Sequence, residues 1–299
     1  MPEIVKYCPL CGSQLSRPFD QREFRGHEVV NRICYDCGLV YQSPRMTTAE
    51  LDDFYTRAYR QVYQDEAGPT PKDLLIQSER AAALLEFVAD SVDGTNRHLD
   101  IGCSAGVLLT RFRERYNCDV IGVEPGAAYR AFARSRGLTV YPDLANVQAA
   151  NESRFDLVSM AHVLEHIPAP VEYLANLRAN ILTPAGWLLI EVPNLYCHDS
   201  FEIAHTISFS GHTLRQTLHK AGFEIVALEK HGQPRSELLP LYLTVLARPG
   251  RATLKVELQR ERGATLKRRI GMFRRRVLQK FFPRRAWVPL KKTENRKTL

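Results

Sequence analysis

The sequence predicts an α/β fold in which a parallel sheet carries helices on both faces. Two observations lead to this prediction. Between residues 97 and 220, short apolar runs of strand length alternate with helical stretches, and a glycine-containing turn directly follows the first of these runs. Such alternation is typical of βαβ units, whose strands lie parallel. The 299 residues are sufficient for one such domain with smaller appendages.

Each element of this fold has its own signal. The predicted parallel strands are residues 98–101, 119–123, 138–141, 155–160 and 187–192. Helices are expected to begin near Gly106, Gly126, Pro170 and Gly211, and another helix over residues 73–89 opens the main domain. Residues 223–229 and 239–247 add a last pair of strands, of which the second is apolar enough to be central in the sheet.

The N-terminal segment contains two CxxC pairs, which account for four of the seven cysteines. The pairs are Cys8 with Cys11 and Cys34 with Cys37, and each is followed by a glycine that relieves the backbone after the turn. In a reducing compartment this pattern favours metal ligation over disulfides, and four thiolates form a closed, structural zinc site. The alternative is a set of buried cysteines without a ligand.

A glycine turn between a strand and a helix is the most informative stretch of the chain. The strand ends with Asp100, Gly102 and Gly106 allow a tight turn, and the helix that begins there presents free N–H groups to a ligand. Eighteen residues after Gly106, the next strand ends in Glu124, which could accept hydrogen bonds from both ribose hydroxyls of an adenosyl group.

These motifs resemble the class I S-adenosylmethionine-dependent methyltransferases over roughly residues 79–247. The family's D-x-G-x-G-x-G motif is matched by Asp100, Gly102 and Gly106, with Ser104 in place of the central glycine. The resemblance implies a Rossmann-like seven-stranded methyltransferase sheet. It also implies that the cofactor contacts Asp100, Gly102, Cys103, Ser104, Gly106, Glu124, Asp143, Met160, Ala161 and His162.

The N-terminal residues are similar to those of bacterial methyltransferases that carry a zinc ribbon and commonly modify sugars, glycans or other small metabolites. The resemblance therefore implies methyl transfer to a small-molecule or glycan acceptor, and we expect the acceptor atom to be oxygen. Two alternatives stay open. One is an RNA methyltransferase, because some ribosomal RNA methyltransferases pair a ribbon with this fold, and the other is a non-catalytic adaptor that retains the fold.

Three histidines and one aspartate have competing interpretations. His205 follows the fifth strand, where the substrate pocket of this fold opens, and its imidazole could accept a proton from the acceptor; the alternative is a loop-anchoring residue. Asp143 could contact the adenine amino group or simply form a turn. His162 and His166 have the i, i+4 spacing of metal ligands, but no third ligand is evident in the sequence.

The net charge of +8 is distributed unevenly. Residues 251–299 hold 17 Lys and Arg against three Glu, or +14, so the remaining chain carries −6. In this segment Leu266, Ile270, Phe273, Val277 and Phe281 recur at helical spacing among basic residues. An amphipathic helix of this kind favours an anionic membrane surface. RNA binding and a plain solvated helix are the alternatives.

The predicted domain order has four parts: a zinc ribbon over residues 1–45, a helical connector over 46–72, the S-adenosylmethionine-binding domain over 73–248 and a basic tail over 249–299. No apolar run has the length of a membrane span, and the N-terminus lacks a secretory signal. We therefore expect a cytoplasmic protein, with peripheral attachment to the inner face of the membrane through its tail. No pattern specifies an oligomeric state.

Overall fold

The computed structural model describes residues 2–54, 68–150, 152, 154–250 and 257–289. Its strands are β1 (Ser16–Phe24), β2 (His27–Cys34), β3 (Val40–Gln42), β4 (Arg97–Ile101), β5 (Asp119–Val123), β6 (Thr139–Tyr141), β7 (Phe155–Ala161), β8 (Leu182–Pro193), β9 (Ile207–Ser208), β10 (Phe223–His231) and β11 (Tyr242–Pro249). Its α-helices are α1 (Thr48–Asp53), α2 (Pro71–Val88), α3 (Val107–Tyr116), α4 (Ala127–Ser135), α5 (Leu144–Ala149), α6 (Pro170–Asn176), α7 (Gly211–Lys220), α8 (Ala264–Phe281) and α9 (Pro283–Ala286).

The main domain is built on a seven-stranded sheet in the order β6-β5-β4-β7-β8-β11-β10. Strands β4 to β8 run parallel, whereas β11 pairs antiparallel with both β8 and β10. The predicted fold class is therefore confirmed, including the central position of the last strand. The order of the parallel strands reverses at β4, so the carboxyl ends of β4 and β7 form a crevice, the usual ligand position in such sheets.

Both faces of this sheet are covered by helices, as the apolar pattern of β8 illustrates. Trp187 and Leu189 pack with α2 and α3 on one face, while Leu188 and Ile190 pack with α6 and α7 on the other. This period-2 alternation within an apolar strand is expected of a strand buried on both sides. Each fully buried leucine contributes about 1.5–3 kcal/mol of hydrophobic stabilisation.

A second, four-stranded sheet contains the N-terminal segment, in the order β1-β2-β3-β9. Its fourth strand, β9, comes from the loop after β8, and pairs Tyr41 with Ile207 and Val40 with Ser208. The N-terminal segment is therefore joined by backbone hydrogen bonds to the domain that contains the large sheet.

Two capping boxes fix the helices that lead into the main domain. In α1, the side chain of Thr47 accepts from the backbone of Glu50, whose carboxylate accepts from the backbone of Thr47. Thr70 and Asp73 form the same reciprocal arrangement at the start of α2. Each cap satisfies backbone N–H groups that the first helical turn leaves unpaired. The rest of the predicted connector, residues 55–67, lies outside the described residues.

The predicted basic helix forms as α8, but most of the apolar positions singled out in its sequence do not pack on the protein. Arg268 and Gly271 face the loop between β8 and β9, and Leu278 packs near Tyr242. The opposite side leaves Leu266, Ile270, Phe273 and Phe281 exposed, at 62%, 59%, 68% and 66%. The helix is therefore amphipathic with its apolar strip on the outside.

Candidate functional site

The glycine turn between β4 and α3 has the backbone path that its sequence predicts. Gly102 and Gly106 have φ angles of 76° and 75°, in the left-handed region that glycine adopts without steric cost. A Cβ atom at Gly102 would lie 2.5 Å from Cγ2 of Val163, so the space is closed to a larger residue. Ser104, in place of the motif's central glycine, also has a positive φ of 52°. The turn therefore keeps its left-handed conformation despite the serine.

Glu124 lies directly against this turn. Its carboxylate is 4% exposed and accepts hydrogen bonds from the backbone N–H of Ser104 at 2.9 Å and of Gly126 at 2.8 Å. The parallel pairing of β4 with β5 places both strand ends at one edge, which brings the acid to the turn. The two halves of the predicted cofactor motif are therefore adjacent, although 18 residues separate Gly106 from Glu124.

Asp100 is buried below the turn and belongs to a short hydrogen-bonded chain. The Ser159 hydroxyl donates to Asp100 Oδ1 at 2.6 Å, so its oxygen accepts from His98 Nε2–H at 2.7 Å. Burial raises the pKa of Asp100 to about 7, although the hydrogen bond from Ser159 works in the opposite direction. The carboxyl group is therefore close to its titration midpoint at neutral pH.

A cavity of about 260 Å³ opens beside the turn at the carboxyl edge of the sheet. Its walls come from β4, the turn, the end of β7 and α2, and they include Asp73, Gln77, Arg80, Asp100, Gly102, Cys103, Ser104, Ala161 and His162. Gln77 Nε2 donates to Ser104 Oγ at 3.2 Å, and Ala105 N donates to Gln77 Oε1 at 3.3 Å. The contribution of α2 was not predicted, and its signal is a set of polar residues on an otherwise apolar helix face.

The remaining predicted cofactor residues do not all reach this cavity. Cys103, Ala161 and His162 line it, whereas Met160 is 1% exposed and packs in the core of the sheet. Asp143 is exposed and caps α5, where its side chain accepts from Asn146 N at 2.8 Å. The hydrogen bonds of the Asp143 side chain are those of a helix cap. Its predicted contact with adenine stays a prediction.

A third buried carboxylate, that of Glu191 in β8, contacts Arg80 and His162 of the cavity wall. Its oxygens lie 2.8 Å from Arg80 Nε and 3.1 Å from His162 Nε2, and it also contacts His231 and Thr244. Burial opposes ionisation, but Arg80 and His162 outweigh it and hold the pKa of Glu191 well below its usual range. Sequence analysis missed this cluster, whose signal is a glutamate within an apolar strand.

His162 itself is held in an uncommon conformation, with a φ of 58°. Backbone strain of this kind persists only where surrounding contacts enforce it, and it is concentrated at functional sites. The contacts here are Glu191 and, at 3.4 Å from Nδ1, Glu165. The residue that lines the cavity is thereby positioned by two buried carboxylates.

His205 lies beside His166, away from the cavity wall. Its Nδ1–H donates to the carbonyl of Ser200 at 2.7 Å, and its ring centroid is 4.6 Å from that of His166. Burial lowers the pKa of His205 to about 3, so its imidazole is neutral. The predicted role as proton acceptor stays a prediction, and His205 is not part of the cofactor cavity wall.

The four cysteines of the CxxC pairs converge at the end of the small sheet. The Sγ atoms of Cys8 and Cys37 are 3.5 Å apart, as are those of Cys11 and Cys34, and all four lie within 4.8 Å of one another. None of the four forms a disulfide. Four thiols gathered in this way have the donor set of a structural zinc site.

Comparison with known proteins identifies the family. A family described as "Methyltransferase domain" matches residues 75–228, which is more than half of the chain. Ubiquinone biosynthesis O-methyltransferases of Roseobacter denitrificans and Alkalilimnicola ehrlichii are 35% and 29% identical, over 30% and 37% of this chain. These matches cover 38% and 47% of the two relatives, so the chain spans less than half of the length of each.

A solved structure agrees with the fold. The plantazolicin methyltransferase BamL, in complex with a triazolic desmethylPZN analog and SAH, superimposes with a TM-score of 0.51 and 11% identity, covering 67% of this chain and 94% of that one. At this identity the likeness shows the fold alone. Together with the family match over residues 75–228, the sheet order and the glycine turn beside Glu124, it establishes that the chain belongs to the methyltransferase domain family.

Proposed function

We propose that this chain transfers a methyl group from S-adenosylmethionine to a hydroxyl oxygen of a small metabolite. The observation that carries the proposal is the glycine turn, closed by Glu124 and bordered by a cavity of about 260 Å³. The two curated relatives are named as O-methyltransferases, which supports oxygen as the acceptor atom. A sugar, glycan or related metabolite is the narrower acceptor class that we propose.

The residues present fit the cofactor. Gly102 lines the cavity in the left-handed conformation that the turn requires, the N–H groups at the start of α3 suit a carboxylate, and Glu124 can accept from ribose hydroxyls. The cofactor supplies an electrophilic methyl group, and the reaction is an in-line displacement. The chain contributes alignment of the two reactants, which is a large part of the rate of such reactions.

Two measurements test this function. Calorimetric titration with S-adenosylhomocysteine should show one binding site per chain, and incubation with labelled methyl donor and fractionated cell extract should place label in the small-metabolite fraction. No binding of the nucleoside would support the non-catalytic adaptor instead. Label that enters RNA and no other fraction would support the RNA methyltransferase.

We further propose that Cys8, Cys11, Cys34 and Cys37 hold a structural zinc ion. The four sulfurs are already gathered, and Leu39 N donates to Cys37 Sγ at 3.5 Å, as a backbone amide does to a zinc-bound thiolate. Four protein ligands leave no open position, so this ion would stabilise the small sheet and take no part in methyl transfer.

The affinity for S-adenosylmethionine should increase as the pH rises through about 7. Burial raises the pKa of Asp100 to about 7 in the free protein, whereas the bound cofactor carries positive charge that favours the ionised carboxylate. Binding therefore releases a proton, and linkage makes affinity lower below that pKa and higher above it. Calorimetry on either side of pH 7 checks this, and the dependence should be absent in Asp100→Asn. An equally steep rise in that variant would contradict the assignment.

We propose that α8 attaches the protein to an anionic membrane surface. Its outer side combines the exposed Leu266, Ile270, Phe273 and Phe281 with exposed basic residues, namely Lys267, Arg269, Arg274, Arg276 and Lys280. Basic residues near such a surface contribute about 1 kcal/mol each, and apolar side chains enter the headgroup boundary. Among the described helices, none is long and apolar enough to cross a bilayer, so attachment would be peripheral.

Substitution of the apolar strip should separate a membrane from a polyanion in solution. The triple variant Leu266→Ser, Ile270→Ser, Phe273→Ser should lose at least about a hundredfold in co-sedimentation with phosphatidylserine vesicles, because each large apolar side chain contributes about 1.5–3 kcal/mol when buried. The control variant Ile4→Ser, Tyr7→Ser, Leu15→Ser removes three side chains of similar exposure from the ribbon. Unchanged vesicle binding by the α8 variant would contradict the proposal, and salt-sensitive RNA retention would favour RNA.

A further inference from the structure

Three potential metal ligands meet one side chain away from the cofactor cavity. Glu165 and His166 belong to the short 3₁₀ turn after β7 (Leu164–His166), and His205 belongs to the loop that precedes β9. One ligand atom of each lies within 4.8 Å of the others. His162, which lines the cavity, contacts Glu165 through Nδ1 at 3.4 Å. The cluster therefore lies directly behind the cavity wall.

The two imidazole rings are oriented as metal ligands usually are. Nδ1 of His166 is 3.0 Å from the carbonyl oxygen of Ala204, and Nδ1 of His205 is 2.7 Å from that of Ser200. A carbonyl oxygen only accepts, so each Nδ1 carries the hydrogen and each lone pair is on Nε2. A second hydrogen bond of this type fixes the tautomer and orientation of most metal-binding histidines.

Glu165 supplies the negative charge of the cluster. Its carboxylate is 2% exposed, and neither oxygen accepts a hydrogen bond from the described part of the chain. An ionised carboxylate in such surroundings is costly unless a cation or hydrogen-bond donors compensate it. Glu191, which is equally buried, has Arg80 at 2.8 Å and Thr244 at 3.3 Å. Glu165 has the His162 contact at 3.4 Å and the imidazoles of His166 and His205 beside it.

We propose that Glu165, His166 and His205 bind one divalent transition-metal ion that holds the acceptor hydroxyl group. Two imidazoles and one carboxylate form a common three-ligand set for such ions, and three protein ligands leave open positions for a substrate oxygen. The site is chemically distinct from the four-thiol cluster, which offers no open position. Its role toward the acceptor rests on the proposed function, but metal binding itself does not.

The metal would assist the loss of the proton from the acceptor hydroxyl group. A hydroxyl group on an open coordination position loses its proton to water more readily, because the cation stabilises the negative oxygen. That oxygen then forms the new C–O bond while the C–S bond of the donor breaks and its electron pair stays on sulfur. In this arrangement His205 is a ligand, and the proton goes to solvent.

Manganese binding to the zinc-containing protein tests the site, because thiolates select zinc over manganese. Electron paramagnetic resonance should show that the wild type takes up one Mn²⁺ per chain, and that added Zn²⁺ displaces it. His205→Ala and Glu165→Gln should each weaken uptake at least about tenfold, as loss of a metal-supporting group does. His219→Ala, which changes an exposed histidine at the end of α7, should bind as the wild type does. No Mn²⁺ uptake by the wild type would overturn the proposal without the use of any variant.

A second readout separates this inference from the proposed function. Removal of the ion by a chelator should abolish methyl transfer to the hydroxyl acceptor while affinity for S-adenosylhomocysteine is retained, and Mn²⁺ should restore activity. If protein that has been shown to lack the ion were fully active, the proposed role of the ion in catalysis would be wrong. The proposed methyltransferase function would not be affected. If the protein took up metal but transferred no methyl group to hydroxyl acceptors, the metal site would be supported and the proposed function would be wrong.

Discussion

Glu124→Ala should weaken binding of S-adenosylhomocysteine by about tenfold to hundredfold. The carboxylate holds two backbone N–H groups of the cofactor turn, Ser104 N at 2.9 Å and Gly126 N at 2.8 Å, and it is the group that we expect to accept from the ribose. Hydrogen bonds to a charged group contribute about 1.5–3 kcal/mol each, and every 1.4 kcal/mol is a factor of ten in affinity. Isothermal calorimetry measures the loss directly.

The matched control for this variant is Asp119→Ala. Asp119 is an exposed acid at the other end of the same strand, β5, so its removal changes the protein's charge equally but leaves the turn intact. We expect its affinity to equal that of the wild type, and thermal unfolding should show that both variants are folded. If Glu124→Ala bound S-adenosylhomocysteine as tightly as the wild type does, the cofactor site would not be at this turn.

The parts of the fold that the sequence predicts are those with a local signal. The five parallel strands are apolar runs of the right length, the turn from Gly102 to Gly106 has a short-range glycine pattern, and each CxxC pair carries its own spacing. Local patterns also predicted that the last strand, β11, is central, because it is apolar on both faces. Such signals can be recognised in the sequence because they depend on residues that are close together along the chain.

The parts of the candidate site that the sequence missed arise from non-local packing. Arg80 and Glu191 lie 111 positions apart in the sequence, yet the sheet order brings them to 2.8 Å. Similarly, His166 has no third ligand within its own segment, and the return of the chain at β9 places His205 beside it. Hydrophobic periodicity places a helix on a sheet, but it does not specify which of its polar side chains face the cavity.

In the basic tail, the sequence pattern predicts the helix but does not predict which of its sides packs on the protein. Its apolar spacing correctly predicted a helix, yet an apolar stripe normally packs inward, and in α8 the inward side holds Arg268 and Gly271. Arg268 is 7% exposed, donates to backbone carbonyls of the loop after β8 and lies 4.0 Å from the ring centroid of Phe201. Together with the packing of Ala264 and Leu278, these contacts hold the helix on the protein. The strip of Leu266, Ile270, Phe273 and Phe281 takes no part in this packing and is available for a surface.

Cys34→Ser should disrupt the ribbon and, through it, the methyltransferase domain. Structural zinc sites contribute about 10–16 kcal/mol of apparent binding free energy, which is larger than the whole stability of most domains. The ribbon's β3 pairs with β9 of the main domain, and Gly38, which follows the second CxxC pair, packs on Glu261, which accepts from Tyr196 and Ser210. We therefore expect lost zinc, a lower melting temperature and weaker S-adenosylhomocysteine binding in the same variant.

The control for the zinc prediction is Cys118→Ser, which alters a buried cysteine outside the cluster. A buried substitution of this kind costs about 0.5–3 kcal/mol, so this variant should keep its zinc and most of its stability. Zinc content by mass spectrometry, thermal unfolding and calorimetry measure the three effects on both variants. If Cys34→Ser lost zinc but bound the nucleoside as tightly as Cys118→Ser, the β3–β9 pairing would not couple the two sheets. If it kept its zinc, the four-thiol site itself would be wrong.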